Sequence, residues 1–179
     1  MCKLLKPKAY LSSLLNIDLK RLKNDFKIKG IIIDLDNTTV AWGSDKIDKE
    51  IINWIQEAKK NKISIFLLSN THTKRVKKFA EVLKIPYNSN SFKPFHPPFR
   101  KALKAMGTTC RDTTVIGDQL FTDILGGNRM KMLTILVKPM SGKDSVGTFL
   151  QRSIEKWILA YWIRSNKIKM MHNSWPKGR

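Results

Sequence analysis

Ile31-Ile32-Ile33-Asp34-Leu35-Asp36-Asn37-Thr38-Thr39-Val40 is the stretch that decides how this chain is read. Three isoleucines form a strand-like apolar run, and two aspartates two residues apart close it. Side chains at i and i+2 of a strand point the same way, so Asp34 and Asp36 face one side at the mouth of a sheet. Two such carboxylates repel unless their work is divided. A divalent cation can hold one as nucleophile while the other serves as acid and base. Asn37 and Thr38 then turn the chain. The same string also reads as a strand capped by an Asx-type turn, which needs only one such residue.

Three later segments favour the chemical reading. Leu67-Leu68-Ser69-Asn70 ends a second apolar run with a hydroxyl and an amide. Lys93-Pro94 sets a lone cation in a loop before a helix. The run from Val115 to Asp123 (VIGDQLFTD) ends a further apolar stretch with Asp118, and Asp123 follows five positions later. Each polar group falls at or just past the carboxyl end of a strand, the edge where open α/β sheets bind ligands.

In this order the four segments resemble the motifs of the haloacid dehalogenase (HAD) superfamily of phosphatases, from Lys29 to about Val137. The wording GIIIDLDNT, LLSN, KP, VIGDQLFTDILGGNR and TILV is similar to the YqeG-type HAD-IIIA phosphatases, themselves similar to mitochondrial phosphatidylglycerophosphate phosphatases. The basic segment before the first strand and the helical tail extend the likeness over nearly the whole chain. Thr39 departs from the usual apolar residue, and FHPPFR after Pro94 is richer in aromatics and proline than the pattern.

The resemblance implies an α/β fold, a HAD-like Rossmannoid three-layer sandwich with a mostly parallel five-stranded sheet and no cap domain. It implies Asp34 as nucleophile, forming an aspartyl-phosphate, and Asp36 as general acid and base. It implies that Mg²⁺ is held by Asp34, the backbone carbonyl of Asp36, and Asp118, with Asp123 a further ligand or an anchor behind them. All-oxygen ligands select a hard cation. Ser69, Asn70 and Lys93 are the expected substrate-binding residues, Lys93 also offsetting the charge of two anions brought together. Plainer readings exist for single residues: Ser69 or Asn70 as a helix N-cap, Lys93 as a solvated lysine, Asp123 as a helix-surface carboxylate. His72 and His96 are left off the catalytic list, and Gly126 and Gly127 read most simply as a helix end.

Strands are expected at 29–34, 63–68, 85–87, 113–116 and 133–137, and helices at 47–60, 71–83, 98–106 and 120–129. Alternating strands and helices argue for a parallel sheet of βαβ units. Tyr10, Leu11, Leu14 and Leu15 at helical spacing make 1–28 a basic helical extension; 29–148 is the catalytic domain. Only 22 residues separate Val40 from Ile63, and 22 separate Asn70 from Lys93. Neither gap holds a lid domain of roughly 50 residues or more. An open site suits a substrate with bulk of its own, such as a lipid or a macromolecule. Residues 149–166 form an amphipathic helix. Its apolar positions Leu150, Ile154, Trp157, Ile158 and Tyr161 pack on the body or, with Trp162, Ile163 and Arg164, lie in a membrane interface. Residues 167–179 are a flexible basic tail.

The chain of 179 residues is 42% hydrophobic, enough for one domain with its own core. Two cysteines make no disulfide framework or zinc site and point to a reducing compartment. No signal peptide or membrane span is read. The expected place is the cytoplasm, with peripheral attachment to the inner face of a membrane. Thirty-four Lys and Arg against 14 Asp and Glu give a formal charge of +20. This reads either as a lysine-rich surface or as attraction to a polyanion, lipid or nucleic acid. The charge is dense at both ends: Lys3, Lys6, Lys8, Lys20, Arg21 and Lys23, then Arg164, Lys167, Lys169, Lys177 and Arg179. The substrate implied by the resemblance is a lipid phosphate monoester, phosphatidylglycerophosphate. The competing readings are a nucleotide or polynucleotide phosphatase, and a basic RNA- or ribosome-associated module on a HAD scaffold.

Overall fold

A computed structural model of the chain describes residues 2–141 and 149–171. The elements are α1 (Cys2–Leu5), β1 (Ala9–Leu11), a 3₁₀ turn (Leu14–Asn16), α2 (Leu19–Asn24), β2 (Gly30–Ile33), α3 (Lys49–Lys60), β3 (Ser64–Leu68), α4 (Thr73–Leu83) and β4 (Tyr87–Asn88). There follow α5 (His96–Met106), β5 (Thr113–Gly117), a π-helical turn (Leu120–Ile124), α6 (Leu125–Arg129), β6 (Leu133–Val137), α7 (Phe149–Arg164) and β7 (Met170–Met171).

The strands form one sheet of seven, ordered β4-β3-β2-β5-β6-β1-β7, with every pairing parallel. The five expected strands run from the β4 edge to β6, and two strands from the ends of the chain extend the sheet beyond β6 where a helix and a flexible tail are expected. Ala9–Leu11 is not helical: it pairs with β6, Tyr10 opposite Leu136. Part of the expected tail is ordered: Ile168 is buried and Met170–Met171 pairs with β1. Lys177 and Arg179 lie outside the described residues.

The period-two alternation of the strands supplies both faces of the sheet. Ile31, Ile33, Ile65, Leu67 and Ile116 turn to the side covered by α3 and α4, where Trp54, Ile55, Val76 and Phe79 close the core. Ile32, Phe66, Leu68 and Val115 turn to the other side, against Phe99 and Ala102 of α5. This gives three layers. Gly126 and Gly127 do not end a helix. They lie within α6, where a Cβ on Gly126 would run into the Phe99 ring and one on Gly127 would come 2.6 Å from Thr134 Cγ2. No cap domain is inserted among the described residues. The chain leaves β2 for β3 on one side and crosses to β5 on the other, so the switch in strand order, the usual place for a ligand crevice, falls at β2.

α7 divides its expected apolar positions: Ile158 packs on the body, and the others described turn out. Ile154, Trp157 and Tyr161 face outward, with Trp157 75% exposed. The buried positions are Arg152, Glu155 and Trp162. Trp162 joins Leu5, Tyr10, Leu136 and Ile168 in an apolar cluster. The side chain of Leu150 is outside the description.

Candidate active site

Three adjacent strands each deliver a polar residue just past their carboxyl ends: Asp34 after β2, Ser69 after β3 and Asp118 after β5. Asp123 comes back toward them from the π-helical turn, its Oδ2 accepting from the Gln119 N–H at 3.2 Å. Gly117 makes room for it, since a Cβ there would collide with the Asp123 carboxyl group. Oxygens of Asp34, Asp118 and Asp123 all lie within 4.8 Å of one another, and all three residues are buried. Such a set of hard, anionic oxygens fits a divalent cation. The carboxylate of Asp36 is not part of it.

Lys93 is no solvated lysine. It is 6% exposed, and its ammonium donates to Asp34 Oδ1 at 2.5 Å, Asp123 Oδ1 at 2.7 Å and the Leu68 carbonyl at 2.9 Å. All three of its donors are therefore in use. A phosphoryl oxygen would reach Lys93 only by replacing one of them. The loop is pinned by Asn70, whose Oδ1 accepts from the Lys93 N–H at 2.7 Å and whose Nδ2 donates to the Lys93 carbonyl at 3.2 Å. Asn70 thus holds the loop rather than presenting its amide to the cavity. Ser69 Oγ accepts from the Thr71 N–H at 3.1 Å.

Burial drives the electrostatics. It raises the Asp34 pKa well above the carboxylate range; Asp123 and Asp118 add to the rise, and Lys93 opposes it. Asp118 is pushed up to about 7, by burial first, with Asp123 adding and Arg152 and Thr38 opposing. For Lys93, burial works downward but the two carboxylates prevail and raise its pKa. Three carboxylates against the Lys93 ammonium and the Arg152 guanidinium leave the cluster one positive charge short, which a divalent cation would supply.

Asp36 stands on the rim. Arg75 Nε donates to its Oδ1 at 2.9 Å and Thr71 Oγ1 to its Oδ2 at 2.5 Å. Arg75 is itself fixed by the Ser44 carbonyl at 2.8 Å and lies over the Phe79 ring, 5.1 Å from its centroid. The turn after Asp36 carries two further ties. Thr38 Oγ1 donates to Asp118 Oδ1 at 3.1 Å, and Thr39 Oγ1 to the Asp34 carbonyl at 2.6 Å. The unusual Thr39 therefore braces the backbone of Asp34.

Sequence reasoning missed Arg75, Thr71 and Arg152. Thr71 lies just before α4 and Arg75 in its first turn, which opens on the carboxyl edge; that placement was their only signal. Arg152 had none. It reaches in from α7, forms an ion pair with the Asp118 carboxylate and donates to its backbone carbonyl at 2.8 Å. Glu155 fixes the same helix by accepting from the Phe121 N–H at 2.9 Å. Asp34, Asp36, Ser69, Lys93 and Arg152 line one open cavity of about 310 Å³, with His72 at its edge. His72 caps α4, its Nδ1 facing the Arg75 N–H at 3.5 Å.

Residues 92–153 match the HAD-hydrolase-like family model. The fold resembles that of the deoxy-D-mannose-octulosonate 8-phosphate phosphatase (YrbI) from Haemophilus influenzae, solved in a cobalt-bound form. The likeness has a TM-score of 0.53 over 65% of this chain and 70% of that one, at 17% identity. Fold and match define a HAD-type hydrolase. Over 163 residues the sequence is 38% identical to Probable phosphatase YqeG of Bacillus subtilis (strain 168), covering 91% of this chain and 94% of that protein. The chain belongs to the YqeG family of HAD phosphatases. It is also 34% identical over 71 residues to the chloroplastic/mitochondrial phosphatidylglycerophosphate phosphatase 1 of Arabidopsis thaliana. That match spans 39% of this chain but only 20% of the longer protein.

Gly117→Ala should displace Asp123 and weaken the metal site without touching a ligand directly. Disturbing what orients a metal ligand costs roughly 10- to 100-fold in metal affinity. A titration of phosphate release with divalent cation should shift to higher concentration by about that factor. An unshifted titration would remove Asp123 from the metal site.

Proposed function

We propose that the protein is a Mg²⁺-dependent phosphomonoester hydrolase that works through an aspartyl-phosphate on Asp34 and acts on phosphatidylglycerophosphate at a membrane surface. The observation that carries the chemistry is the buried cluster of Asp34, Lys93, Asp118 and Asp123, of which Asp34 and Lys93 line an open cavity together with Asp36. A carboxylate oxygen of Asp34 attacks phosphorus as the bond from phosphorus to the ester oxygen breaks. Asp36 delivers a proton to the departing alkoxide. It then takes one from the water that attacks phosphorus, and breaking the bond to Asp34 releases inorganic phosphate. Lys93, turning from its carboxylate partners to the phosphoryl oxygens, offsets their charge. Asp34 and Asp118, with Asp123 in support, would hold Mg²⁺, which would supply positive charge against the charge that develops in the reaction.

The lipid substrate draws on three supports. One is the likeness to the plant phosphatidylglycerophosphate phosphatase over 71 residues. Another is the uncapped site. The last is α7, which carries an exposed stripe of Ile154, Trp157 and Tyr161. Arg152 at its start lines the catalytic cavity, and its far end leads to Lys167 and Lys169. There the two basic ends meet: Lys3, Lys6, Lys8, Lys167 and Lys169 line a second cavity that has no acidic residue in its wall. Each such cation near an anionic bilayer contributes about 1 kcal/mol. α7 thus offers an apolar stripe, and the lysines a cationic patch, to an anionic bilayer. No helix among the described residues is long and apolar enough to cross a membrane.

The lysine cavity favours one further reading, a polynucleotide phosphatase, since phosphodiester chains attract the same cations. One experiment separates them. Phosphate release is measured with Mg²⁺ or EDTA from phosphatidylglycerophosphate micelles, a mononucleotide, an end-phosphorylated oligonucleotide and a sugar phosphate. Sedimentation with phosphatidylglycerol or phosphatidylcholine vesicles is run in parallel at low and high salt. The expected outcome is fastest release from the lipid, with salt-sensitive binding to phosphatidylglycerol only. Trp157→Ser with Tyr161→Ser should weaken that binding several-fold. Equal binding to both vesicles, or none, contradicts membrane attachment; fastest release from the oligonucleotide selects the second reading.

A further inference from the structure

Phe92 and Phe95 flank the buried Lys93 yet are themselves 74% and 60% exposed. They are not loosely hung. Ser91 Oγ donates to the Ser69 carbonyl at 2.7 Å, the Phe95 N–H to the Phe92 carbonyl at 3.1 Å, and Asn70 grips Lys93 between them. Phe92 has φ 53, in the left-handed region that a bulky side chain seldom adopts. The loop thus holds an aromatic ring outward in an uncommon conformation. Scattered exposed apolar residues are ordinary; two rings fixed on either side of a site lysine are a surface with a use. With Asn70, Asn90 and Lys93 they line a depression of about 250 Å³. Asn70 and Lys93 also line the catalytic cavity, so the two hollows adjoin.

We propose that Phe92 and Phe95 form an apolar lip that receives the hydrocarbon part of a phosphate ester while its phosphate enters the catalytic cavity. This rests on the phosphatase reading alone and gives that site a preference for apolar carbon next to the phosphate; in phosphatidylglycerophosphate the glycerol carbons stand there, with the acyl chains beyond a phosphodiester. Most polar groups of the depression are engaged, the carboxamide oxygen of the exposed Asn90 aside. The Asn70 amide is spent on the Lys93 backbone, and the Asn90 amide nitrogen donates to Thr73 Oγ1 at 3.4 Å. A nucleobase edge would find little to pair with there, and unpaired polar groups are costly. A methylene chain needs only the rings.

The test is calorimetric binding of ethyl phosphate, hexyl phosphate and adenosine monophosphate to Asp34→Asn protein in magnesium chloride. Phosphate release from the same esters by the unaltered enzyme accompanies it. Hexyl phosphate should bind about tenfold more tightly than ethyl phosphate, less than half the logarithmic gain that full burial of four methylenes would give. Phe92→Ser with Phe95→Ser should bring the hexyl-to-ethyl ratio close to one, and Phe92→Leu with Phe95→Leu should keep most of it. Equal binding of the two alkyl esters, or a ratio unmoved by the serine variant, overturns the lip. A preference for adenosine monophosphate lost in the serine variant assigns the rings to base stacking and overturns it too. Release of phosphate from both esters without chain preference sinks the lip alone. Neither binding nor release for any ester sinks the phosphatase reading with it.

Discussion

Asp34→Asn protein should release phosphate from an aryl phosphate at a rate on the order of 10⁴-fold or more below the unaltered enzyme, the scale seen when an attacking group is removed. The fold should survive. An amide oxygen can still accept from Lys93 Nζ, which stands 2.5 Å from Asp34 Oδ1, and the Thr39 brace acts on the backbone carbonyl, which the substitution leaves in place. The amide also relieves a crowded site, because burial, Asp123 and Asp118 all work against the Asp34 charge. Thermal unfolding of the variant should therefore match or exceed that of the unaltered protein. Phosphate release at even a few per cent of normal would mean that another group attacks.

Lys93→Met should cost stability as well as turnover. The ammonium is the partner of both Asp34 and Asp123, with lysine and carboxylate side chains all at or below 9% exposure. Removing one member of a buried ion pair costs about 3–5 kcal/mol, because the other is left uncompensated. A domain of this size has about 5–15 kcal/mol in all. Denaturant unfolding should show a lower midpoint at an unchanged slope. Millimolar Mg²⁺ should restore part of the loss, since it replaces positive charge among the same carboxylates. Phosphate release should fall by on the order of 10²- to 10³-fold. A midpoint within error of the unaltered protein would mean that the ion pairs carry no net stabilisation.

The centre of the fold was legible because its signals are local. Ile31 to Ile33 and Val115 to Ile116 are apolar runs with a carboxylate at the end, and parallel strands buried on both faces are written that way. Asp34 and Asp118 could be placed from that alone, and the family resemblance added Lys93. The β1-β7 side of the sheet was not legible. Ala9–Leu11 is three residues long, too short for any period, and its partner is β6, more than 100 residues away. α7 was ambiguous for a different reason. Counting apolar positions left Ile154, Trp157 and Tyr161 either packed on the body or turned outward, and the outward turn is set by Arg152 on Asp118 and Glu155 on the Phe121 N–H. Periodicity weighs hydrophobicity and is blind to a buried charge whose partner lies 34 residues away. Arg75 and Thr71 were missed likewise: their link to Asp36 spans 39 and 35 residues.

The central claim is a covalent phosphoryl group on Asp34. Borohydride reduces an acyl phosphate but spares a free carboxylate, turning the aspartate into homoserine. The enzyme is mixed with substrate and Mg²⁺, quenched in acid during turnover, reduced and sequenced by mass spectrometry. Homoserine at position 34, absent without substrate and absent in Asp34→Asn protein, is the predicted result. Turnover with an unmodified Asp34, or with homoserine at Asp36 or Asp118 instead, would contradict it.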